Sequence, residues 1–396
     1  MLKRQLTAYL LTFFVGFAAV SAAFHLAYTY LRSPSMTHET LFLKERFYRQ
    51  HAADYDLVFV GDSRTYCGFH PESLDGRLGR KSINLATFAM WFPTQLPFVQ
   101  SLVHAIPPGT PVVWAVGHAN FFPAVRESVG DRYPIGWRNA AWYLRLGFSP
   151  WNVGRNFFGY LPITSLLREP KNILGVIQAQ SAAPLYARAL PARGSGAGAS
   201  EAVRRAELLE FYSKQPGVGR VIPVTSGDQL TSVILYRTGG GYLRVEFEPE
   251  FFRKKQRELL ERAGGPLSDA EAEAFDTGAP DPRLLAIFDA ILGEFEAARL
   301  PLVVVEMEEA PFLYRHERVR EKWRAFMDRV AKPRAEARGF AYVRPDFESL
   351  PSEDYFDYNH LNSIGVEKFS EILAPLLAAK LPPIERRTQP VAVQLP

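Results

Sequence analysis

The chain has 396 residues, 47% of them hydrophobic and 22% charged, so it can bury a substantial core and is not a disordered polymer. Its 46 basic and 42 acidic residues leave a net charge of only +4 with no marked basic stripe, and nothing in that pattern marks a nucleic-acid binder. The single cysteine, Cys67, excludes an intrachain disulfide; with no metal-type cluster beside it, it reads as a small core residue.

In chain order, Lys3 and Arg4 precede a stretch from Gln5 to Leu31 that carries no formal charge apart from His25 and is mostly apolar. A membrane-spanning helix needs roughly 20 such residues. The basic residues before it favour a cytoplasmic N-terminus with the bulk of the chain outside. The rival is a cleaved signal peptide, because Val20-Ser-Ala22 resembles a small-residue cleavage site. The apolar stretch continues past that point to Tyr28, Tyr30 and Leu31, which favours an uncleaved anchor. A fully buried soluble helix is the third reading. Residues 36 to 53 then look like a helix that leads into the first strand.

Leu57 to Val60 is a short unbroken apolar run of the kind that forms a strand buried on both faces, and it stops at Gly61 and Asp62. Ser63 therefore falls where a strand ends, the edge of an open α/β sheet where ligands bind and where a following helix offers free N–H groups to an anion. A Gly-Asp-Ser turn after a strand can equally be only a turn. A helix follows into the seventies, and strand-like runs recur at 82 to 85 and at Val112 to Val116. Between them Val99, Leu102, Val103 and Ile106 share a helical face that Pro107-Pro108-Gly109 ends. The rhythm resumes with a helix from Pro282 to Ala298, a strand Leu302 to Val305, a helix around Val319 to Ala337 and a short strand Phe340 to Val343. Strand and helix in alternation mean parallel strands joined by right-handed crossovers. The expected fold is a three-layer α/β/α sandwich around a five-stranded parallel sheet.

Residues 121 to 280 break that rhythm with a concentration of Trp, Tyr, Phe and Pro that includes Trp137, Trp142 and Trp151. A low-complexity run, Pro191 to Ser200, reads as a flexible loop, Val221 to Val224 and Tyr242 to Phe247 as strands, and Phe252 to Arg262 as a solvent-facing helix. The stretch is expected to cap the active-site edge. Exposed aromatic residues there could stack on sugar rings, although at this density most belong to a core.

Near the C-terminus the chain reads Asp354-Tyr-Phe-Asp357-Tyr-Asn-His360-Leu-Asn-Ser-Ile-Gly365 before an amphipathic helix. An Asp three residues before a His can set its carboxylate against one imidazole nitrogen and leave the other for a serine, which is the logic of a catalytic triad. A helix-capping Asp and a solvated His are the plainer reading.

Together, Gly61-Asp62-Ser63 and Asp357-x-x-His360 with its Leu-Asn-x-x-Gly continuation resemble the first and last blocks of the SGNH (GDSL-type) hydrolase superfamily. The resemblance covers about residues 54 to 125 and 281 to 379, closely at its ends and loosely between them. It implies Ser63 as nucleophile, His360 as general base and Asp357 as its partner. It also implies oxyanion donors from Ser63, from the backbone of Ala89, and from Asn120 or His118. Relatives have Gly where Ala89 stands, and Gly-x-Asn where this chain has Gly117-His-Ala-Asn120. Arg64, unusual next to such a serine, would bind an anionic substrate group, or else form an ion pair with Asp62, Asp354 or Asp357. No metal or cofactor is implied.

The domain plan is an anchor at 1–35, two halves of the SGNH-like domain at 36–125 and 281–380, an insertion or cap at 126–280, and a tail at 381–396. The chemistry expected is hydrolysis or transfer of an ester through an acyl-serine. A tethered SGNH-like domain resembles the proteins that work with a membrane-bound O-acyltransferase in envelope polysaccharide acylation. That places it at the inner membrane, facing the periplasm or exterior, with a glycan or another ester as substrate. The alternative is a non-catalytic assembly or binding protein on the same fold.

Overall fold

The computed structural model describes residues 5–7, 9–17, 19, 41, 44–45, 48–49, 51–87, 90–121, 135–159, 218–226, 229–237, 242–244, 280–311, 317–355 and 359–384. The expected loop at 191–200 and helix at 252–262 lie outside the described residues. The chain divides into two compact units, one of residues 1–40 with 127–193, the other of residues 41–126 with 194–396.

In the larger unit the described residues from 41 to 51 are helical, as the sequence suggested, and a 3-10 turn at Ala52–Asp54 leads into β1 (Leu57–Val60), which is followed by two short helices, α1 (Ser63–Gly68) and α2 (Pro71–Leu78). The sequence suggested one helix running into the seventies. Pro71 divides it, because proline lacks the N–H that a continuous helix would need there but suits a helix's first turn. Next come β2 (Ser82–Asn84), α3 (Phe92–Leu102) and β3 (Val112–Gly117), which ends in a 3-10 turn at His118–Phe121. The chain then passes into the smaller unit, with α4 (Trp137–Arg145) and α5 (Pro150–Gly159). Back in the larger unit an antiparallel sheet forms from β4 (Val218–Ser226), β5 (Gln229–Arg237) and β6 (Tyr242–Arg244). The alternation at 221–224 and 242–247 located two of these strands; β5 was not expected. Strand β6 runs beside α1.

The last part supplies α6 (Pro282–Ala297), β7 (Leu302–Met307), α7 (Glu317–Phe326), α8 (Lys332–Glu336), β8 (Ala341–Val343) and α9 (Ser363–Ala378). The sequence suggested one helix from 319 to 337. A π-helical turn at Met327–Ala331 separates α7 from α8 immediately before Pro333. The wider turn fits a proline whose ring would otherwise meet the carbonyl four residues back.

The strands β2-β1-β3-β7-β8 form one sheet in that order, and the pairs β1–β2, β1–β3, β3–β7 and β7–β8 are all parallel. The expected five-stranded parallel sheet is therefore present, and the C-terminal ends of its strands share one edge. Leu57, Phe59, Val113, Val303 and Val305 pack on one face with Phe369, Leu373 and Leu377 of α9. On the other face Trp114 stacks on Phe288 of α6 with ring centroids 5.2 Å apart and lies 5.7 Å from Phe92 of α3. Its indole nitrogen donates to Gln95 Oε1 at 2.7 Å. Each of these large side chains contributes roughly 1.5–3 kcal/mol through burial.

Among the described residues no helix is long and apolar enough to cross a membrane. Of the stretch from Gln5 to Leu31, only residues 5–7, 9–17 and 19 are described; they are helical.

Candidate functional site

Ser63 is the first residue of α1, three positions beyond the end of β1, and is partly exposed while its neighbours Asp62 and Arg64 are buried. The N–H groups of a first helical turn have no intrahelical acceptor, so position alone leaves that of Ser63 to point outward. Asp62 is the N-cap, and its Oδ1 accepts from the backbone N–H of Arg64 at 3.0 Å.

Arg64 returns that contact with its side chain. Its Nε donates to Asp62 Oδ1 at 3.1 Å and its Nη2 to Asp62 Oδ2, Nη1 donates to Glu309 Oε1 at 3.2 Å, and Nη2 also to Asn120 Oδ1 at 2.6 Å. Of the two expectations for Arg64, the ion pair with Asp62 is the one present; Arg64 is only 3% exposed. Burial pushes the Asp62 carboxyl up, but Arg64 and Asn120 outweigh it and hold the pKa below the ordinary aspartate value.

Asn120 and His118 lie on the same turn after β3 and do different things. Asn120 Oδ1 accepts from Gly117 N at 2.9 Å and from Arg64, while its Nδ2 donates to Asp62 Oδ2 at 3.2 Å. Its amide thus joins the turn that carries Ser63. His118 turns instead to the Trp323 ring and to Glu309, whose Oε1 is 3.9 Å from its Nε2. Burial first and the Arg64 charge second push its pKa well below the ordinary histidine value, which keeps the imidazole neutral at physiological pH. A Cβ at Gly117 would collide with the Arg64 guanidinium, so the end of β3 needs glycine for the arginine to lie across it.

The loop after β2 is tied down from two sides. Asn84 Oδ1 accepts from Ala86 N at 3.0 Å, while Asn84 Nδ2 donates to the carbonyls of Thr65 and Phe69 at 2.8 and 2.9 Å. The buried Lys44 donates to the Ala86 carbonyl at 2.7 Å and lies 3.9 Å over the ring of Tyr66. Ala89, the expected backbone donor, lies outside the described residues, as does Asp357.

His360 is partly exposed and sits immediately before Leu361, which forms an antiparallel bridge with Tyr355 and closes the base of the loop. Leu361 reaches α1, since a Cβ on Gly68 would lie 3.7 Å from its Cδ1. The Leu-Asn-x-x-Gly continuation has a structural reason. Asn362 caps α9, its Oδ1 accepting from Ile364 N and Gly365 N, both at 3.0 Å, and a side chain at Gly365 would strike the Asp354 carbonyl. Asp354 is buried and accepts from Lys368 Nζ at 2.8 and 2.9 Å. Helix α2 is fastened to α9 by Ser73 Oγ on Glu367 at 2.7 Å and by Arg77 on Glu371 at 2.7 Å. The segment that follows His360 is thereby packed on α1, at the Gly68 end of that helix.

No family is assigned by comparison. No protein-family model and no curated protein matches the chain.

Three participants escaped the sequence reading: Glu309, Asn84 and Lys44. Glu309 had a visible signal, because carboxylates at 306, 308 and 309 at the end of a buried strand require cations. Glu306 meets Arg344 and Tyr342, Glu308 meets Arg320 and Arg324, and Glu309 meets Arg64. Lys44 gave no such signal within an ordinary helical pattern.

Proposed function

We propose that this chain is a membrane-anchored serine esterase or O-acyltransferase of the SGNH type, a three-layer α/β/α protein with a flavodoxin-like strand order, acting on cell-envelope glycans. The observation that carries the reading is that Ser63 opens a helix at the C-terminal end of β1 while the segment after His360 packs on that same helix. Open parallel sheets bind ligands at that edge.

In this reading Ser63 Oγ attacks an ester carbonyl while His360, oriented by Asp357, takes the hydroxyl proton. The N–H groups of Ser63 and Ala89, with the amide of Asn120, stabilise the tetrahedral oxyanion, each donor contributing about 3–4 kcal/mol in comparable sites. Collapse expels the alcohol, to which His360 returns the proton. A second acceptor, either water or a sugar hydroxyl, then attacks the acyl-serine carbonyl as His360 takes its proton, and His360 passes that proton to Ser63 as it leaves.

The anchor reading has support from the uncharged run through Leu31 and from the outward-facing Leu6, Tyr9, Leu10, Phe13 and Phe14 of the N-terminal helix. A helix with apolar residues all round belongs in a core or a bilayer. The proposed location is the inner membrane with the larger unit outside, beside a membrane-bound O-acyltransferase as partner.

A non-catalytic assembly protein is the second reading, favoured by one observation: the Asn120 amide is tied to Asp62 and Arg64. Detergent-solubilised protein assayed with a chromogenic acetyl ester separates the two. Loss of about 10³-fold or more in turnover in Ser63→Ala, with unchanged unfolding, is the result expected of a nucleophile. Turnover equal in both proteins would remove Ser63 from the chemistry.

A further inference from the structure

The smaller unit holds a feature that an ester-cleaving site does not explain. From residue 132 to residue 168 the chain carries five arginines and not one aspartate or glutamate. Within that stretch α4 and α5 pack on each other, and Tyr143, Phe148 and Val153 are all buried, with the Tyr143 and Phe148 rings 5.5 Å apart. Trp137 is nevertheless 68% exposed and Trp151 77% exposed. On α4, Trp137, Ala141 and Leu144 fall at helical spacing on one exposed face. Arg138 and Arg145 stand next to that face, and the Arg138 guanidinium lies 5.5 Å from the centre of the Trp137 ring.

A helix with tryptophan and leucine on one side and arginine on its flank, without acidic residues, has the composition of an element that lies in the plane of a bilayer surface. Tryptophan favours the headgroup layer because its ring is apolar and its N–H is polar. The same compact unit contains residues 1–40, and therefore the apolar N-terminal helix with its exposed Leu6, Leu10 and Phe14. Two separate sequence segments that both expose apolar side chains thus belong to one unit.

We propose that α4 and α5 form an interfacial membrane-binding hairpin, with Trp137 and Trp151 in the headgroup layer of an anionic bilayer and Arg138 and Arg145 against lipid phosphates. Each arginine near such a surface strengthens attachment several-fold, which makes the contact sensitive to salt and to anionic lipid. The hairpin supplies a second attachment besides the N-terminal helix. The inference rests on the membrane reading above only in requiring a bilayer. A glycan-stacking role for the same tryptophans is the competing occupant. The lack of any carboxylate among 37 residues to accept sugar hydroxyls, counted from 132 to 168, and the shared unit with the N-terminal helix favour lipid.

Full-length protein reconstituted into vesicles of phosphatidylglycerol and phosphatidylcholine, some brominated near the headgroups, tests this through quenching of tryptophan fluorescence. Trp137→Phe/Trp151→Phe preserves the exposed apolar surface and removes two reporters, so most of the quenching should disappear. Arg138→Gln/Arg145→Gln should reduce quenching in anionic vesicles and change it little in neutral ones. Protein that floats with the vesicles but is quenched equally in wild type and in Trp137→Phe/Trp151→Phe overturns the hairpin and leaves the anchor standing. Protein that does not float at all overturns both. Emission from these two residues that shifts with an added envelope polysaccharide and not with vesicles gives the face to glycan and overturns the lipid assignment.

Discussion

Two carboxylates at opposite edges of the sheet have opposite fates. Asp62, at the C-terminal edge, is buried with Arg64 and Asn120 on it, and its pKa lies below the ordinary value. Asp75, at the N-terminal edge, accepts from the backbone of Ser82 at 2.9 Å and from the Ser82 hydroxyl, and among the described residues no arginine pairs with it. Burial pushes it up to about 6, against the pull of the Ser82 hydrogen bonds and of the Lys81 charge, and the charge of Asp56 adds to the rise. Hydrogen bonds and the charge of a nearby lysine do not hold this largely buried carboxyl at its ordinary pKa; a guanidinium in fork geometry holds Asp62 below it. The chain places that guanidinium in the residue that follows Ser63, so the charge of Arg64 holds the turn of the proposed nucleophile.

Breaking the paired edge should have the largest effect. Arg64→Met leaves Asp62 and Glu309 buried without their shared cation, which should cost about 3–5 kcal/mol in urea unfolding. Arg64→Lys restores charge but not the fork, and should recover only part of that loss. If Arg64→Met unfolds at the wild-type midpoint, the network is no more than a surface-strength pair. Gly117→Ala approaches the same network from the strand side. Its methyl group would displace the guanidinium, and an overpacking loss of about 1–3 kcal/mol is expected. A double variant with Arg64→Met should lose less than the sum of the singles, because the group the methyl strikes is gone.

How far the sequence revealed this arrangement depended on whether the signal was local. The strands of the parallel sheet were legible because the runs Leu57 to Val60 and Leu302 to Val305 are buried on both faces and therefore uniformly apolar. Asp62 and Ser63 were legible because a turn residue followed such a run. The partners of Arg64 were not, since Asn120 and Glu309 are 56 and 245 residues away and only the crossovers bring them to one edge. Strand β5 was missed although its run from Gln229 to Arg237 is rich in β-branched and aromatic residues; polar residues at 229, 231 and 232 obscured the pattern. The helix from 319 to 337 was right in extent and wrong in continuity, because a proline's effect on the turn before it does not appear in hydrophobic spacing.

The unpaired edge makes the smallest prediction and the cleanest in sign. A carboxyl raised to about 6 in the folded chain binds its proton more tightly than it does unfolded. Its titration therefore removes stability as pH rises from the ordinary aspartate range to about 6. Asp62, held low, does the reverse: its contribution is complete above the ordinary aspartate range and is lost as pH falls through its folded value. Asp75→Asn abolishes the first titration and leaves the second. Urea midpoints measured from about pH 4 to pH 7 should then show the wild type losing ground against Asp75→Asn as pH rises, with the gap constant once Asp75 is fully ionised. A gap that does not change with pH would mean that Asp75 is already ionised at the low end. The fork of Arg64 would then not be what distinguishes the two edges.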